Sequence, residues 1–255
     1  MFNESARGFL KKYSDGAIVS HTVNIIGMGE SSVAEEIEDM FDAKNPTVAP
    51  YAKSGEVRLR ITAKAETADE ADKMCAPVVD EICSRLGDVV YGTDMNSIEE
   101  RVVALLKEKG KKIATAESCT AGYIPKRLTD IPGASEVFEC GIVSYSNDIK
   151  TKLLGVSPKT LETYGAVSEQ TAREMALGAK HVSGADIAIS TTGLAGPGGD
   201  GVLPGGLSFA AVTDGERTVV EKIVTGHEND REYNRYVTAS RALNLARLML
   251  EEKIK

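Results

Sequence analysis

Strand-like and helix-like patterns alternate along the second half of the sequence, and no other feature constrains the fold as strongly. Stretches of β-branched residues are followed by stretches in which apolar residues recur every three or four positions. The predicted helices cover residues 97–109, about 168–181 and about 229–252, with further helices after 117–122 and within 146–155, and the predicted strands cover 112–116, 138–145, 186–191, 207–213 and 218–224. Such alternation is typical of an α/β layer, in which helices pack against a sheet.

The first half of the chain has a different pattern, which reads strand, helix, strand, strand, helix, strand. Its clearest strands and helices are predicted at residues 17–27, 32–41, 57–65, 67–86 and 89–92. This order is typical of a compact α+β unit of the split βαβ type. We therefore predict two domains, a small α+β domain at residues 1–94 and an α/β sandwich at 95–255, joined by a hinge at 94–97.

Charge and hydropathy argue against several classes of protein. The 255 residues include 38 acidic and 30 basic side chains, a net charge near −8, and residues 1–95 alone have 10 basic and 17 acidic side chains, a balance of −7. This balance disfavours binding to nucleic acid or to an anionic membrane. The sequence has no uncharged apolar run near the ~20 residues that span a bilayer, and its start does not resemble a signal peptide. We expect a cytoplasmic protein without nucleic-acid or membrane partners.

The cysteines and histidines give no support for a metal centre. They are Cys75, Cys83, Cys119, Cys140, His21, His181 and His227. The cysteines form no C-x-x-C pair, and the histidines are not paired at the spacing of metal ligands. We expect most of the cysteines to be small buried hydrophobic residues and the protein to need neither a metal nor a cofactor.

Three segments with unusual polar residues follow predicted strands: 117–122 (ESCTAG), 144–150 (SYSNDIK) and 192–206. Ligands of open α/β sheets bind beyond the carboxyl ends of the strands. We therefore expect these three segments to line one shared pocket.

Ser118 is a candidate nucleophile because it lies between a strand and the following helix. Free backbone N–H groups of Cys119, Thr120 and Ala121 at the helix start can hold an oxyanion or a phosphate. The simpler interpretation is that Ser118 caps the helix, as serine often does. Cys119 is the rival nucleophile, although a buried, inert thiol is expected there.

Lys150 is a candidate general base in the first turn of a helix that Ser146 or Asn147 caps. A lysine that acts as a base needs a pKa of about 7–8 instead of about 10.4. To lower the pKa that far, the site must destabilise the ammonium relative to the neutral amine by roughly 4 kcal/mol. The helix dipole contributes only ~0.3–1 kcal/mol, so burial must provide most of the shift. The simpler interpretation is an exposed lysine on a solvated helix face. Tyr145 can donate to a carbonyl or a leaving group, or it packs in the core.

The loop at residues 193–206 contains seven glycines and two prolines. Glycines allow a backbone to approach a ligand closely, although a plain turn between strands is the simpler interpretation. The loop is neither a P-loop nor a dinucleotide fingerprint, so ATP hydrolysis and dinucleotide redox chemistry lack support. Arg231, near the start of the last helix, can clamp a phosphate, or it pairs with a neighbour such as Glu228.

Four segments of the second half occur in one order with regular spacing: AESCTAG, GIVSYSNDIK, YGAVSEQTAREMA and TGLAGPGG. They resemble the C-terminal domain of the CinA family, the nicotinamide-nucleotide amidase domain, over about residues 96–252. NPTVAPYAKSGEVRLRITAKA and RLGDVVYGTD resemble the KH-type middle domain of the same family. The resemblance therefore extends over nearly the whole chain.

The resemblance implies an amidohydrolase that converts nicotinamide mononucleotide (NMN) and water to nicotinate mononucleotide and ammonia, in pyridine nucleotide recycling and without a cofactor. It implies a Ser–Lys dyad in which Ser118 attacks the carboxamide and neutral Lys150 takes the proton, assisted by Tyr145. The residues that it implies for substrate binding are Cys119, Thr120, Ala121 and Gly122 around the oxyanion, and Thr192, Gly193, Ala195, Gly196 and Arg231 around the ribose phosphate.

Two departures from the family pattern affect this interpretation. Ala121 replaces the first glycine after SCT, and the glycine loop lacks a lysine, with Leu203 near its place. The molybdopterin-binding-like domain of full-length CinA has no counterpart in this sequence, so its pyrophosphatase activity is not carried over. GMGE at 27–30 is not the basic clamp of a nucleic-acid-binding KH domain.

Other functions remain open. One alternative is a non-catalytic nucleotide-binding module that has lost turnover through its altered loop, and another is a hydrolase of the same architecture for a different small amide. A triad that uses His227 has less support, because nothing in the sequence brings it near Ser118. A homodimer is our default expectation for such an enzyme.

Overall fold

The computed structural model describes residues 16–254, apart from the side chain of Lys53. They form two compact units, of which one ends at Met95 and the other begins at Asn96. This division falls one residue after the predicted boundary at 94/95.

The first unit is a four-stranded antiparallel sheet with helices on one face. Its elements are β1 (Ala17–Ile26), α1 (Glu30–Glu36), β2 (Thr47–Lys53), β3 (Glu56–Ala65), α2 (Ala68–Leu86) and β4 (Val90–Thr93). The strand order is β2-β3-β1-β4, with every pairing antiparallel. This arrangement confirms the predicted split βαβ fold. Helix α2 begins with a capping box between Thr67 and Glu70, and its buried Ile82 belongs to the same core as Ile61 of β3.

The first helix ends earlier than predicted. The apolar spacing predicted a helix to residue 41, but α1 ends at Glu36, and a 3-10 turn follows at Glu38–Met40. The helix ends before Ile37, whose backbone is not helical, with φ −126° and ψ 23°. The side chain of Ile37 is fully buried in the core of this unit. Met40 and Phe41 still pack against the core, which explains why their spacing looked helical.

The second unit is a mixed five-stranded sheet between two layers of helices. Its elements are α3 (Ile98–Lys109), β5 (Ile113–Glu117), α4 (Tyr123–Thr129), β6 (Phe138–Val143), α5 (Asn147–Leu154), α6 (Pro158–Tyr164), α7 (Glu169–Ser183), β7 (Ile187–Gly193), β8 (Leu207–Thr213), β9 (Thr218–Val224) and α8 (Arg231–Leu250). The strand order is β6-β5-β7-β8-β9. Strand β5 pairs in parallel with β6 and β7, whereas β8 and β9 are antiparallel. The predicted α/β sandwich is confirmed.

Alternating side chains of β5 point to the two helical layers. Ala114 and Ala116 belong to the core that α5 and α7 cover, together with Leu154 and Met175. Glu117 points to the opposite face, where it meets the start of α4. Because β5, β6 and β7 are parallel, their carboxyl ends meet at one edge of the sheet, where the three polar segments begin.

Some predicted elements differ in their bounds. Helix α6 was not predicted; it is short and begins with Pro158, a residue suited to the first turn of a helix. The helix after ESCTAG begins only at Tyr123, which places Pro125 in its first turn, where a missing N–H is tolerated. Strand β6 ends at Val143, so Tyr145 lies outside it.

The cysteines are less uniformly buried than expected. Cys75 and Cys119 are buried, whereas Cys83 and Cys140 are half-buried, so burial holds for two of the four. Within residues 16–254, no group of three or more histidine, cysteine or acidic side chains is arranged to hold a metal ion. Among the helices of the same residues, none is both long enough and apolar enough to cross a membrane.

Candidate active site

Ser118 lies directly after β5, at the sheet edge where β5, β6 and β7 end. Its backbone N–H donates to the carbonyl of Thr191 in β7 at 2.9 Å, and the N–H of Ser144 donates to the carbonyl of Glu117 at 2.8 Å. The parallel pairing therefore continues one residue past the ends of β5 and β6 and fixes the backbone of Ser118. The hydroxyl projects from a rigid sheet edge, which suits a nucleophile.

Lys150 lies in the first turn of α5, which Ser146 caps through a 3.3 Å hydrogen bond from the N–H of Ile149. The lysine side chain is 1% exposed. The expectation of a solvated lysine on a helix face is therefore wrong. Its Nζ atom lies 3.2 Å from the Oγ atom of Ser118, so the structure brings the two predicted dyad residues within hydrogen-bond distance.

The surroundings of the Lys150 amine suit a neutral base. Nζ also lies 2.9 Å from the carbonyl oxygen of Ser144 and 3.3 Å from that of Tyr145. A neutral amine has two N–H donors and one lone pair. In the neutral form the two carbonyls accept both donors and the lone pair faces the hydroxyl of Ser118, whereas in the charged form Oγ of Ser118 accepts the third N–H.

Burial favours this neutral form. Removal from water lowers the pKa of Lys150 below its ordinary value. Most buried lysines pair with a carboxylate, which opposes this effect. Among the described residues, no carboxylate pairs with Lys150. The pKa is therefore shifted in the direction that general-base catalysis requires.

The segment 118–122 is a tight turn rather than the first turn of a helix. Ala121 has a φ of +50° and Gly122 a φ of +87°, and the N–H of Tyr123 donates to the carbonyl of Thr120 at 3.2 Å. A left-handed backbone is easy for glycine but costs an alanine roughly 1–2 kcal/mol. Ala121, which replaces a glycine of the family pattern, is thus a strained residue close to the candidate nucleophile.

Glu117 holds this turn from within the protein. Its side chain is 1% exposed, and one carboxylate oxygen accepts from the N–H of Ile124 at 3.2 Å. The other oxygen is buried and has no hydrogen-bond partner among residues 16–254. Desolvation raises the pKa of Glu117, although the hydroxyl of Thr120 and the N–H groups at the start of α4 oppose the rise.

Not every N–H group of the turn is free for an oxyanion. The N–H of Ser118 is bonded to Thr191, and that of Gly122 faces the Glu117 carboxyl group. The N–H groups of Cys119 and Thr120 lie near the Cys119 thiol, but together with that of Ala121 they form no backbone hydrogen bond in the described part of the chain, so these three are the candidate donors. Gly122 is thus directed away from the role that the resemblance implied for it.

Cys119 is a poor rival to Ser118. Its side chain is buried, and desolvation raises the pKa of the thiol to about 12. A thiol is nucleophilic as the thiolate, which is scarce at neutral pH for such a group. The position next to Ser118 therefore does not make Cys119 a second nucleophile.

An open cleft of about 190 Å³ lies in front of Ser118. Its lining residues are Ser118, Cys119, Tyr145, Gly193, Leu194, Ala195, Gly196, Pro197, Gly198, Gly199 and Arg231. The three predicted segments therefore share one cleft, and Lys150 lies behind Ser118 rather than in the cleft wall. The cleft joins the candidate nucleophile to the glycine loop.

The last helix fixes the glycine loop. Arg231 donates to the carbonyl of Gly196 at 2.7 Å, and Asn234 donates to that of Ala195 at 2.9 Å. Gly196 has a φ of +88°, and a Cβ there would collide with the carbonyl of Glu228. Arg231 does not form the ion pair with Glu228 that the sequence left open; it also lies 3.5 Å from the hydroxyl of Tyr145, which is 62% exposed.

Thr192 and Asp200 form hydrogen bonds that stabilise the backbone in and around the glycine loop. Thr192 is buried, and its hydroxyl donates to the carbonyl of Ala166 at 2.6 Å, so it does not reach the cleft. In the altered part of the loop, the Asp200 carboxylate accepts from the N–H groups of Val202 at 2.9 Å and Leu203 at 2.7 Å. This closed turn keeps the substituted segment together outside the cleft wall.

Sequence reasoning missed two residues near the site. Glu117 stands in the quoted AESCTAG motif and in the predicted polar segment 117–122, but the sequence analysis assigned it no role of its own. Arg235 donates to the carbonyl of Thr120 at 2.7 Å. Its spacing of four residues from Arg231 on one helix was the available signal, because such residues share a face.

Comparisons with known proteins agree with the two units. The family profile described as the CinA C-terminal domain matches residues 95–250, and that of the damage-inducible protein CinA KH domain matches residues 20–92. A putative competence-damage inducible protein of Clostridium beijerinckii is 52% identical over 232 residues, which are 90% of this chain and 57% of that protein. A CinA-like protein of Desulfovibrio desulfuricans is 43% identical over 97% of this chain and 59% of its own length. The chain thus spans less than two thirds of these relatives.

Solved structures resemble part of the chain. The crystal structure of a competence/damage inducible protein from Agrobacterium tumefaciens has 38% identity and a TM-score of 0.58, and it covers 60% of this chain and 93% of its own. A CinA superfamily protein from Escherichia coli has 32% identity and a TM-score of 0.56, and it covers 62% of this chain and 92% of its own.

Proposed function

The chain belongs to the CinA family, and from this membership together with the geometry at Ser118 we propose that it is a nicotinamide-nucleotide amidase. The reaction converts NMN and water to nicotinate mononucleotide and ammonia. The observation that carries the proposal is the buried amine of Lys150, 3.2 Å from the hydroxyl of Ser118 and without a carboxylate partner in the described chain.

In the first half of the reaction, the Ser118 oxygen attacks the carboxamide carbon of NMN. The Oγ–C bond forms while the carbonyl π electrons move to oxygen, and the hydroxyl proton passes to the lone pair of Lys150. Backbone N–H groups of Cys119, Thr120 and Ala121 stabilise the oxyanion. When the carbonyl re-forms, the C–N bond breaks, the departing amide nitrogen takes the proton from Lys150, and ammonia leaves.

In the second half, water hydrolyses the ester on Ser118. Neutral Lys150 takes a proton from the attacking water, and the second oxyanion occupies the same donors. When the carbonyl re-forms again, the bond to Oγ breaks and the proton returns to the serine oxygen. Each half-reaction uses Lys150 first as a base and then as an acid, which requires a pKa near the working pH.

The glycine loop and Arg231 give the cleft its proposed specificity. Residues 193–199 bring backbone close to the substrate, and the Arg231 guanidinium binds the ribose phosphate. The hydroxyl of Tyr145 lies at the mouth of the cleft beside Arg231, where it can donate to the substrate.

The experiment is incubation of the protein with NMN, nicotinamide riboside and nicotinamide, with ammonia and the pyridine product measured for each. We expect ammonia and nicotinate mononucleotide from NMN, and no ammonia from the Ser118→Ala protein. Ammonia release by Ser118→Ala at the wild-type rate would refute the role of the serine.

A second candidate function is hydrolysis of another small amide. The volume of the cleft favours it, since about 190 Å³ is below the roughly 300–1,000 Å³ of typical ligand pockets. Competition separates the two functions: an NMN amidase is inhibited by nicotinate mononucleotide, whereas an enzyme for a smaller amide is not.

A further inference from the structure

A second pocket adjoins the cleft of Ser118. It has a volume of about 350 Å³ and is lined by Tyr123, Arg231, Glu232 and Arg235. Arg231 lines both this pocket and the cleft, so one guanidinium stands between the two spaces. A molecule bound at Ser118 can therefore extend past Arg231 into the second pocket.

The pocket suits an anion because its two arginines outnumber its one acidic lining residue, Glu232, which leaves a net positive charge. The two arginines are four residues apart at the start of α8 and so face the same side. In the described part of the chain neither guanidinium forms an ion pair with a carboxylate; their recorded polar contacts are the carbonyls of Gly196 and Thr120 and the hydroxyl of Tyr145. Arginines that lack a carboxylate partner favour binding of a phosphate, which accepts two parallel N–H bonds.

Arg235 also contacts the turn that carries Ser118. Its Nη2 atom donates to the carbonyl of Thr120 at 2.7 Å, and its guanidinium lies 5.8 Å from the centre of the Tyr123 ring. Tyr123 is the first residue of α4, directly after the turn. One side chain thus touches both the pocket and the backbone whose N–H groups are the proposed oxyanion donors.

We propose that this pocket is the subsite for the phosphate group of the substrate, and that Arg235 is a positioning residue that links phosphate binding to the oxyanion turn. A phosphate between Arg231 and Arg235 holds the Arg235 guanidinium in place, and the guanidinium in turn holds the carbonyl of Thr120. Binding energy from the remote phosphate is then used at the reacting carbon, so that phosphate raises kcat as well as lowering KM. The proposal rests on the proposed function.

The test compares NMN with nicotinamide riboside, which lacks only the phosphate, in wild-type and Arg235→Met proteins. We expect the ratio of their kcat/KM values to favour NMN in the wild type and to fall roughly 10- to 100-fold in Arg235→Met, since charge-assisted hydrogen bonds are lost. Arg241→Met is the matched control, because Arg241 lies on the same helix but pairs with Glu221 away from the pocket. It leaves the ratio unchanged. Equal losses for both substrates in Arg235→Met would mean a purely structural role and would overturn the proposal.

A binding measurement keeps the inference testable apart from catalysis. Ribose 5-phosphate is titrated into wild-type, Arg235→Lys and Arg235→Met proteins by calorimetry. We expect binding to the wild type, weaker binding to the lysine variant and none to the methionine variant; equal affinity in all three overturns the subsite. If the wild type releases no ammonia from NMN, the proposed function fails, while this titration still decides whether the pocket binds phosphate.

Discussion

The Nζ atom of Lys150 lies 3.2 Å from the Oγ atom of Ser118, and the lysine is buried without an acidic partner among the described residues. A charged lysine in such a place is unfavourable, because desolvation is not offset by an ion pair. The carbonyls of Ser144 and Tyr145 can accept the two N–H groups of a neutral amine, whose lone pair then faces Ser118. Burial therefore favours the uncharged form that the proposed mechanism needs.

The adjacent positions 118 and 119 hold the proposed nucleophile, Ser118, and its rival, Cys119, and substitution of each distinguishes them. Ser118→Ala lowers kcat by at least ~10³-fold, because the attacking oxygen is lost. Cys119→Ala keeps activity within a few-fold of wild type, since burial raises the pKa of this thiol to about 12. Steady-state ammonia release measures both, and a Cys119→Ala protein as inactive as Ser118→Ala would contradict this assignment.

The lowered pKa of Lys150 predicts the pH dependence of activity. The base must be neutral, so kcat/KM rises with pH through the Lys150 pKa and levels off above it. Because burial lowers that pKa, the rise lies below the ordinary lysine value of about 10.4. A pH–rate profile of the wild type checks this, and a rise centred near 10.4 would contradict a desolvated base.

The same lowered pKa predicts how stability changes with pH. Between the folded-state pKa and about 10.4, the unfolded chain binds a proton at Lys150 that the folded protein does not, so raising the pH stabilises the fold. Relative to Lys150→Met, the wild type gains up to about 1.4 kcal/mol per pH unit in that window. Denaturant unfolding of both proteins across the window measures the difference; a constant difference means an unshifted lysine.

Much of the second unit follows from sequence pattern alone. The predicted strands at 207–213 and 218–224 match β8 and β9, because alternating or continuous apolar runs around a turn leave few other choices. Helix α6 was missed because its seven residues show too little periodicity for an unambiguous pattern. Most strand and helix ends differed by one or two residues because element ends fray, and α1 ended five residues early because the backbone leaves the helical conformation at the buried Ile37.

The contacts around the turn were harder to foresee. The resemblance to the CinA family implied the pairing of Ser118 with Lys150, whereas the parallel strands, which bring the segments that follow them to one edge, predicted only a shared pocket. The bond from Arg235 to Thr120 joins residues 115 positions apart, and no local pattern encodes it. The burial of Glu117 depends on the position of α4, which the sequence did not fix.

The left-handed backbone at Ala121 predicts a stabilising substitution. Ala121→Gly relieves the strain at φ +50°, and after the larger entropy of an unfolded glycine we expect a gain of about 0.5–1 kcal/mol in unfolding free energy. Gly184→Ala is the reciprocal control, because φ is +69° there and no atom of the described chain lies within 4 Å of a new Cβ. The Gly184→Ala substitution should lower the unfolding free energy by about 1 kcal/mol. Thermal unfolding compares them, and a destabilised Ala121→Gly protein would contradict the strain.

The raised pKa of Glu117 predicts an opposite pH effect on stability. Between the ordinary value of about 4.3 and the raised folded value, the folded protein holds a proton that the unfolded chain releases, so raising the pH destabilises the fold. Glu117→Gln lacks this titrating group, so its free energy of unfolding increases relative to that of the wild type as the pH rises through the window. The exposed Glu108→Gln is the control. Denaturant unfolding from acid to neutral pH that shows parallel curves for wild type and Glu117→Gln would refute the shift.

The most direct test of the dyad is the rate of ammonia release from NMN by wild type, Ser118→Ala, Lys150→Met and the double variant, with folding of each checked by circular dichroism. Residues that act as one unit have strongly non-additive effects. We predict that each single change lowers kcat by at least ~10³-fold and that the double variant is no slower than the slower single variant. A double variant whose loss equals the product of the two single losses would show that the serine and the lysine act independently, and would contradict the mechanism.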